Sequence, residues 1–291
     1  MKKLSPRGML ILSMTVFGTI GLFVRNISLA SGEIALYRAV LAALLIGGYL
    51  LLRKEKIDLK AMRKQLPILL FSGIAIGINW ILLFEAYRYT TVSVATLSYY
   101  FAPVIVTVVS PVLFREKMGL KQILCFVMST VGLVLITVSG EMSKGGTDLL
   151  GIFFGLGAAC FYAGVVLMNK FVKEVDGIQR TLIQFLSAIV VLLPYVLLTS
   201  GVHLDALAAP GWICLLVVGL FHTGVTYCLY FSALKDLPGQ KAAILSYIDP
   251  LVAVLVSVVL LNEGMSYLQI IGGLLILGFT LWNELSGTEQ K

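Results

Sequence analysis

Charge is scarce in this chain. Asp, Glu, Lys and Arg make up 13% of its 291 residues, about half the share in an ordinary soluble domain. So few charges cannot clothe a water-facing exterior of that size. Histidine is scarcer still: His203 and His222 are the only two. There is no HExxH, no GxSxG and no Walker A pattern, which argues against a metallopeptidase, a serine hydrolase and an ATP-driven pump within this chain. No enzymatic activity is expected. The four cysteines, Cys125, Cys160, Cys214 and Cys228, sit inside apolar runs without paired spacing. They read as small buried hydrophobes, neither disulfides nor metal ligands. No metal and no cofactor are expected.

What the chain has instead is apolar length. Hydrophobic residues reach 59% and mean hydropathy is +0.97. Hydrocarbon about 30 Å thick needs roughly 20 apolar residues of helix. Ten such spans can be placed, at 8–25, 33–52, 66–87, 91–114, 119–139, 149–169, 179–199, 211–231, 240–261 and 266–285. The start MKKLSPRGMLILSMTVFG has the basic-then-apolar order of a signal peptide, but its apolar run is long and has an equivalent in the second half, so it is read as a retained first span. With the N-terminus inside, Arg7, Arg53, Lys54, Lys56, Lys60, Arg63, Lys64, Arg115, Lys117, Lys170 and Lys173 fall on inner segments; the outer ones keep Arg25, Arg88 and Lys144. Both termini are therefore expected to be cytoplasmic. The net charge of +7 follows from this asymmetry, without a nucleic-acid partner.

One phrase is written twice. LSYYFAPVIVTVVSPVLFREK (97–117) and ILSYIDPLVAVLVSVVLLNEG (244–264) align with Tyr100 on Tyr247, Pro103 on Pro250 and Glu116 on Glu263, each 147 residues apart. Weaker echoes set Arg25 against Lys170 and Arg88 against Lys235. The phrases are spans four and nine. A unit of five spans, being odd, lies upside down relative to its copy, which is the pattern of secondary transporters. The expected fold is thus all-α and integral to the membrane, with ten transmembrane helices in two inverted repeats, 1–140 and 147–287.

The same residues carry a resemblance. Tyr37-Arg38-Ala39, Ala86, Thr91 to Ala95, Pro103 and Glu116 in the first half, with Ala233 to Pro238, Ala242, Pro250, Glu263 and Gly272-Gly273 in the second, resemble the ten-span drug/metabolite transporter superfamily, EamA-like family. The resemblance implies a central cavity between inverted five-helix bundles and export or exchange of small metabolites, often amino acids. It also implies a bacterial inner membrane. Relatives that expel cationic drugs carry a glutamate in their first span. Here span one has no acid, and span six has only Asp148 at its edge.

Several residues are candidates to line a pathway. Ser93, Thr96, Tyr100, Pro103, Thr107 and Ser110 share one face of span four at helical spacing. Pro103 and Pro250 should kink their helices. Asn79 near mid-bilayer must bond another helix or meet substrate. Trp80, Tyr99, Tyr162 and Tyr227 can form an aromatic box, with Tyr247 placed as Tyr100 is. His222 offers a proton relay or an interhelical bond. Asp249, an acid at mid-depth, is a candidate for a substrate amine or a coupling proton; Lys241 shares its face but stands too far off to pair. Arg38 and Glu85 are expected to form a structural ion pair, with gating or a substrate carboxylate as Arg38's second reading. Glu116 and Glu263 are expected to cap the helices that follow them.

The leading functional expectation is a secondary active transporter moving a small polar or zwitterionic, amino-acid-like metabolite, as an exporter or exchanger, by alternating access. Proton-coupled efflux of aromatic or cationic drugs is the alternative. A membrane receptor or an intramembrane enzyme is the different-class reading. The partners foreseen are a small-molecule substrate, the lipid bilayer and a proton as candidate coupling ion, with the chain a monomer or weak dimer.

Overall fold

The computed structural model describes residues 5–53, 59–114, 119–141, 147–169, 171–172, 175–237 and 245–286. Among them the regular elements are helical throughout. In chain order they are α1 (Pro6–Gly18), α2 (Ile20–Val24), α3 (Ser31–Arg53), α4 (Leu59–Tyr89), α5 (Val92–Tyr99), α6 (Ala102–Phe114), α7 (Leu120–Glu141), α8 (Thr147–Asn169), α9 (Gly177–Thr199) and α10 (Ala209–Leu216). A π-helical stretch, Val217–Val225, joins α10 to α11 (Thr226–Asp236); α12 (Ile248–Val259) and α13 (Tyr267–Ser286) follow.

Six helical segments are long and apolar enough to cross a bilayer: Pro6–Val24, Ser31–Arg53, Arg63–Tyr89, Asp148–Asn169, Gly177–Thr199 and Ala209–Tyr230. Four shorter apolar helices, Val92–Val106, Leu120–Ile136, Ile248–Val259 and Tyr267–Asn283, lie in the remaining expected spans. This is a multi-pass helical membrane protein. Its perimeter agrees: Leu52, Leu198 and Leu274 are 87%, 86% and 67% exposed. A ring of bare leucines is unfavourable in water and ordinary against lipid.

Local chemistry marks the helix ends. Ser5 Oγ accepts the Gly8 N–H at 3.2 Å, ahead of Pro6 in the first turn. Thr91 does the same for Val94, also at 3.2 Å, and Asp176 for Ile178 at 3.1 Å. Ser266 and Gln269 cap α13 reciprocally, the Gln269 side chain taking the Ser266 N–H at 2.9 Å. The sequence expectation gave that task to Glu263; its carboxylate instead serves α5, as described below. Glu116, Lys170, Gln240 and Lys241, and the side chains of Thr107 and Ser110, lie outside the described residues.

The helices pack in a definite pattern. α4 lies against α8 and α9, and α3 against α9 and the π stretch. α1 lies against α11 and α12, α5 against α8 and α12, α6 against α8 and α7, and α7 against α13. The last pair meets at two glycines. A Cβ on either Gly132 or Gly272 would collide with the other's carbonyl oxygen, so only hydrogen at both positions lets these backbones touch.

Candidate functional site

The site begins with two broken helices. α5 stops at Tyr99 and α6 starts at Ala102, leaving Tyr100 and Phe101 outside both. Pro103 then falls in the first turn of α6, where a missing N–H leaves no bond unmade. Tyr100 has φ −70° and ψ 4°. Tyr247, just ahead of α12, has φ −69° and ψ −9°. The two tyrosines share nearly one backbone geometry.

Beside these breaks lies a cavity of about 140 Å³. Of the residues singled out from sequence, Arg38, Asn79, Trp80, Thr96, Tyr99, Tyr100, Tyr162, Tyr227 and Asp249 line it. Sequence reasoning passed over Phe17, Tyr87, Tyr230 and Ser246, which also line it. Tyr230 was open to detection, since it follows Tyr227 by one helical turn. A second chamber of about 290 Å³ is lined by Ala102, Pro103, Val106, Val166 and Tyr247, and shares Tyr99, Tyr100, Tyr162, Ser246 and Asp249 with the first. His222, Glu85 and Pro250 line neither chamber.

Two charges face the first cavity. The Tyr100 hydroxyl donates to Asp249 Oδ2 at 2.8 Å. Arg38 is 4% exposed. Its guanidinium carbon lies 4.3 Å from the Trp80 ring centroid, and its Nε donates to Thr223 Oγ1 at 2.6 Å. Thr223 belongs to the π stretch, a helix variant often found at functional sites. Among the described residues, neither Arg38 nor Asp249 has an oppositely charged side chain within ion-pair reach. The pairing of Arg38 with Glu85 is therefore overturned. Glu85 bonds Arg88 at 3.1 Å, one turn along its own helix, while Arg38 turns inward to aromatic faces that stabilise a desolvated cation by about 2 kcal/mol.

Polar neighbours are settled by other helices. Asn79 Nδ2 donates to the Ala158 carbonyl at 2.7 Å, the bond to another helix, while the residue also lines the cavity. His222, 1% exposed, has Nε2 2.9 Å from Thr19 Oγ1 and Nδ1 3.2 Å from the Val217 carbonyl oxygen. The Thr19 contact is an interhelical bond, and His222 lines neither chamber.

A third group of contacts closes one end. Arg25, after α2, pairs with Glu263, after α12, and donates to the carbonyls of Tyr87, at 3.0 Å, and Thr90. Glu263 also takes the Val92 N–H at 2.9 Å and the Ser257 hydroxyl. Ser257 Oγ in turn accepts the Ser93 N–H at 3.2 Å. Glu263 thus caps α5, the helix it packs against, through that helix's unpaired N–H groups. On this face a wider vestibule, about 590 Å³, runs from Arg25 and Arg88 to Tyr87, which it shares with the central cavity.

The cavity thus lies inside a multi-pass helical protein and is walled by aromatics, one basic and one acidic side chain. The EamA-like transporter family matches residues 7–138 and again 149–283, and the chain belongs to that family. It is 28% identical to "Uncharacterized transporter YxxF" of Bacillus subtilis (strain 168), over 92% of this chain and 85% of that one. It is also 28% identical to an "Uncharacterized transporter" of Archaeoglobus fulgidus, over 94% and 95%. A solved structure titled "Crystal structure of protein" superposes with TM-score 0.69 at 14% identity, covering 97% of both chains, which speaks to fold alone. Transport, rather than enzymatic catalysis, is what these relatives' names indicate.

Proposed function

We propose that the chain is a secondary transporter for a small zwitterion of amino-acid type, held between Arg38 and Asp249. The observation that carries this reading is the acid and the base lining one cavity, each without an oppositely charged partner among the described residues. An isolated charge inside a membrane protein is costly. A zwitterion neutralises both at once: its carboxylate meets the guanidinium fork and its ammonium meets Asp249 beside Tyr100. A bare organic cation would gain Asp249 but face Arg38 as well, which counts against cationic drug efflux.

The proposed mechanism is alternating access by two inverted repeats. Exchanging the first five spans for the last five carries the main helix pairs onto one another. α4 on α8 becomes α11 on α1; α4 on α9 becomes the π stretch on α3; α5 on α8 becomes α12 on α1. The family's two matches, one per half, support the same division. In the present conformation spans four and nine are tied on the Glu263 face, taken as the outer one, while below the breaks α6 leans on α8 and α7. The other state would exchange these roles between the halves. The positive-inside pattern puts both termini in the cytoplasm of a cell membrane, and export or exchange fits either direction of the cycle.

Counterflow in proteoliposomes tests the substrate class. Amino acids should drive exchange of a labelled amino acid, whereas matched simple amines and simple carboxylates should not. Equal activity with either mono-ion would sink the zwitterion reading. Repeating the assay with an imposed pH gradient reports whether a proton is coupled.

A further inference from the structure

We propose that the second chamber is a subsite for a bulky apolar side chain, so that the substrate is an amino acid bearing a large aliphatic or aromatic group. This rests on the reading above, in which Asp249 takes the ammonium and Arg38 the carboxylate.

Three observations lead there. First, the chambers are contiguous. Tyr99, Tyr100, Tyr162, Ser246 and Asp249 line both, so an ammonium at Asp249 stands at their junction. An α-amino acid carries ammonium, carboxylate and side chain on one carbon. With the carboxylate directed to Arg38 in the first cavity, the side chain is left to turn into the second. Second, the volumes fit that division. The first cavity offers about 140 Å³ and has six tyrosines, Asn79 and Thr96 in its lining. The second offers about 290 Å³, far more than a methyl group needs. Third, the walls that belong to the second chamber alone are Ala102, Pro103, Val106, Val166 and Tyr247. Apart from the Tyr247 hydroxyl their side chains are hydrocarbon, which gives an apolar group contact in place of water.

Ala102 has a different task within this wall. It packs with Ala159 and Ala163 of α8, and these small residues set how near α6 comes to α8. Val166 on α8 lines the chamber outside that seam, and Val106 on α6 lines the chamber while also packing against the seam; both are half-buried. They are the residues through which chamber size can be changed.

The experiment uses the full-length protein, purified and reconstituted, and compares wild type with Val166→Phe, which narrows the chamber, and Val106→Ala, which widens it. Two series of competitors are run: amino acids from alanine through leucine to phenylalanine, and unbranched alkylamines of growing chain length. The expected result is selective. Val166→Phe should weaken leucine and phenylalanine roughly tenfold or more, the scale of discrimination a hydrophobic pocket achieves, and leave alanine within about twofold. Val106→Ala should shift preference toward phenylalanine and needs no extra volume to be accommodated. A parallel loss for alanine and phenylalanine in Val166→Phe would overturn the subsite and make the chamber a common passage. So would size-independence in both variants. The amine series separates this proposal from the one beneath it. If alkylamines compete and amino acids do not, the zwitterion reading fails; a chain-length preference that Val166→Phe removes from the amines would still uphold the subsite.

Discussion

Tyr100 and Tyr247 stand at matching breaks, with φ −70° against −69°, each three residues before a proline. Two residues past the tyrosine the halves part. Span four has Ala102 and span nine has Asp249. Ala102 packs into the alanine seam with α8; Asp249 accepts the Tyr100 hydroxyl and lines both chambers. What the two spans hold in common is the bend. What they do not hold in common is the charge. Broken helices can serve two conformations and gain from being duplicated, whereas a site for one small molecule needs a single acid and a single base.

The largest effect should therefore come from the unmatched residue. Asp249→Asn keeps the shape of the side chain and removes its charge. A hydrogen bond to a charged group contributes about 1.5–3 kcal/mol, so transport efficiency should fall roughly 10- to 100-fold at unchanged protein yield. Proteoliposome uptake, with thermal unfolding as the folding control, measures this. Wild-type uptake in a well-folded Asp249→Asn protein would remove the carboxylate from the site. Arg38→Lys comes next. It retains charge but loses the planar fork and its stacking on Trp80. The expected result is a roughly tenfold rise in apparent KM for zwitterions, with a smaller change in maximal rate, read from concentration dependence of uptake.

This division explains what was legible beforehand. The repeated phrase, the prolines and the apolar runs are local patterns; they placed the apolar spans and bends at Pro103 and Pro250, whereas the helices break three residues earlier, at Tyr100 and Tyr247. Trp80, Tyr99, Tyr100, Tyr162 and Tyr227 about the cavity were also nameable, whereas Phe17, Tyr87 and Tyr230 were passed over. Charge pairing was not legible. Arg38 and Glu85 lie at similar depth, but depth says nothing of azimuth: Glu85 points along its own helix to Arg88, and Arg38 toward Trp80 and Thr223. The π stretch that presents Thr223 has no residue pattern that separates it from the α-helix on either side. Glu263 was assigned to the helix after it because sequence order suggests neighbours in the chain, whereas its real neighbour, α5, is reached only through the fold.

Those closing contacts are where the comparison of halves can be sharpened. Glu263→Gln removes the ion pair with Arg25 and weakens the cap on α5. Partly exposed pairs of this kind contribute about 1 kcal/mol, so the balance of states should move roughly fivefold toward opening on the Glu263 face. A cysteine placed at Thr96, which lines the central cavity, reports it through its rate of labelling by a membrane-impermeant thiol reagent. That rate should rise several-fold in a background whose four native cysteines are replaced. By the repeat, Glu116 is the counterpart of Glu263, and Glu116→Gln should move the same rate the opposite way. Changes of one sign in both variants would break the equivalence of the halves.

The smallest effect belongs to the tyrosines themselves. Tyr100→Phe deletes one hydroxyl and keeps the ring against Tyr99, whose centroid is 6.0 Å away. Asp249 keeps its charge and its place on α12, and loses one donor that holds Oδ2. A hydrogen bond to a charged group contributes about 1.5–3 kcal/mol, but a bound ammonium can itself supply donors to the freed oxygen, so the net loss should be only about threefold in affinity. Tyr247→Phe, at the matching break, has no carboxylate two residues along the partner span, because Ala102 stands there. It should lower substrate affinity less than Tyr100→Phe does, while keeping the aromatic wall of the second chamber. Isothermal titration of both variants with one amino acid distinguishes them. Equal losses in the two would mean that the tyrosines act through the bend they share, and that the acid on span nine does not set them apart.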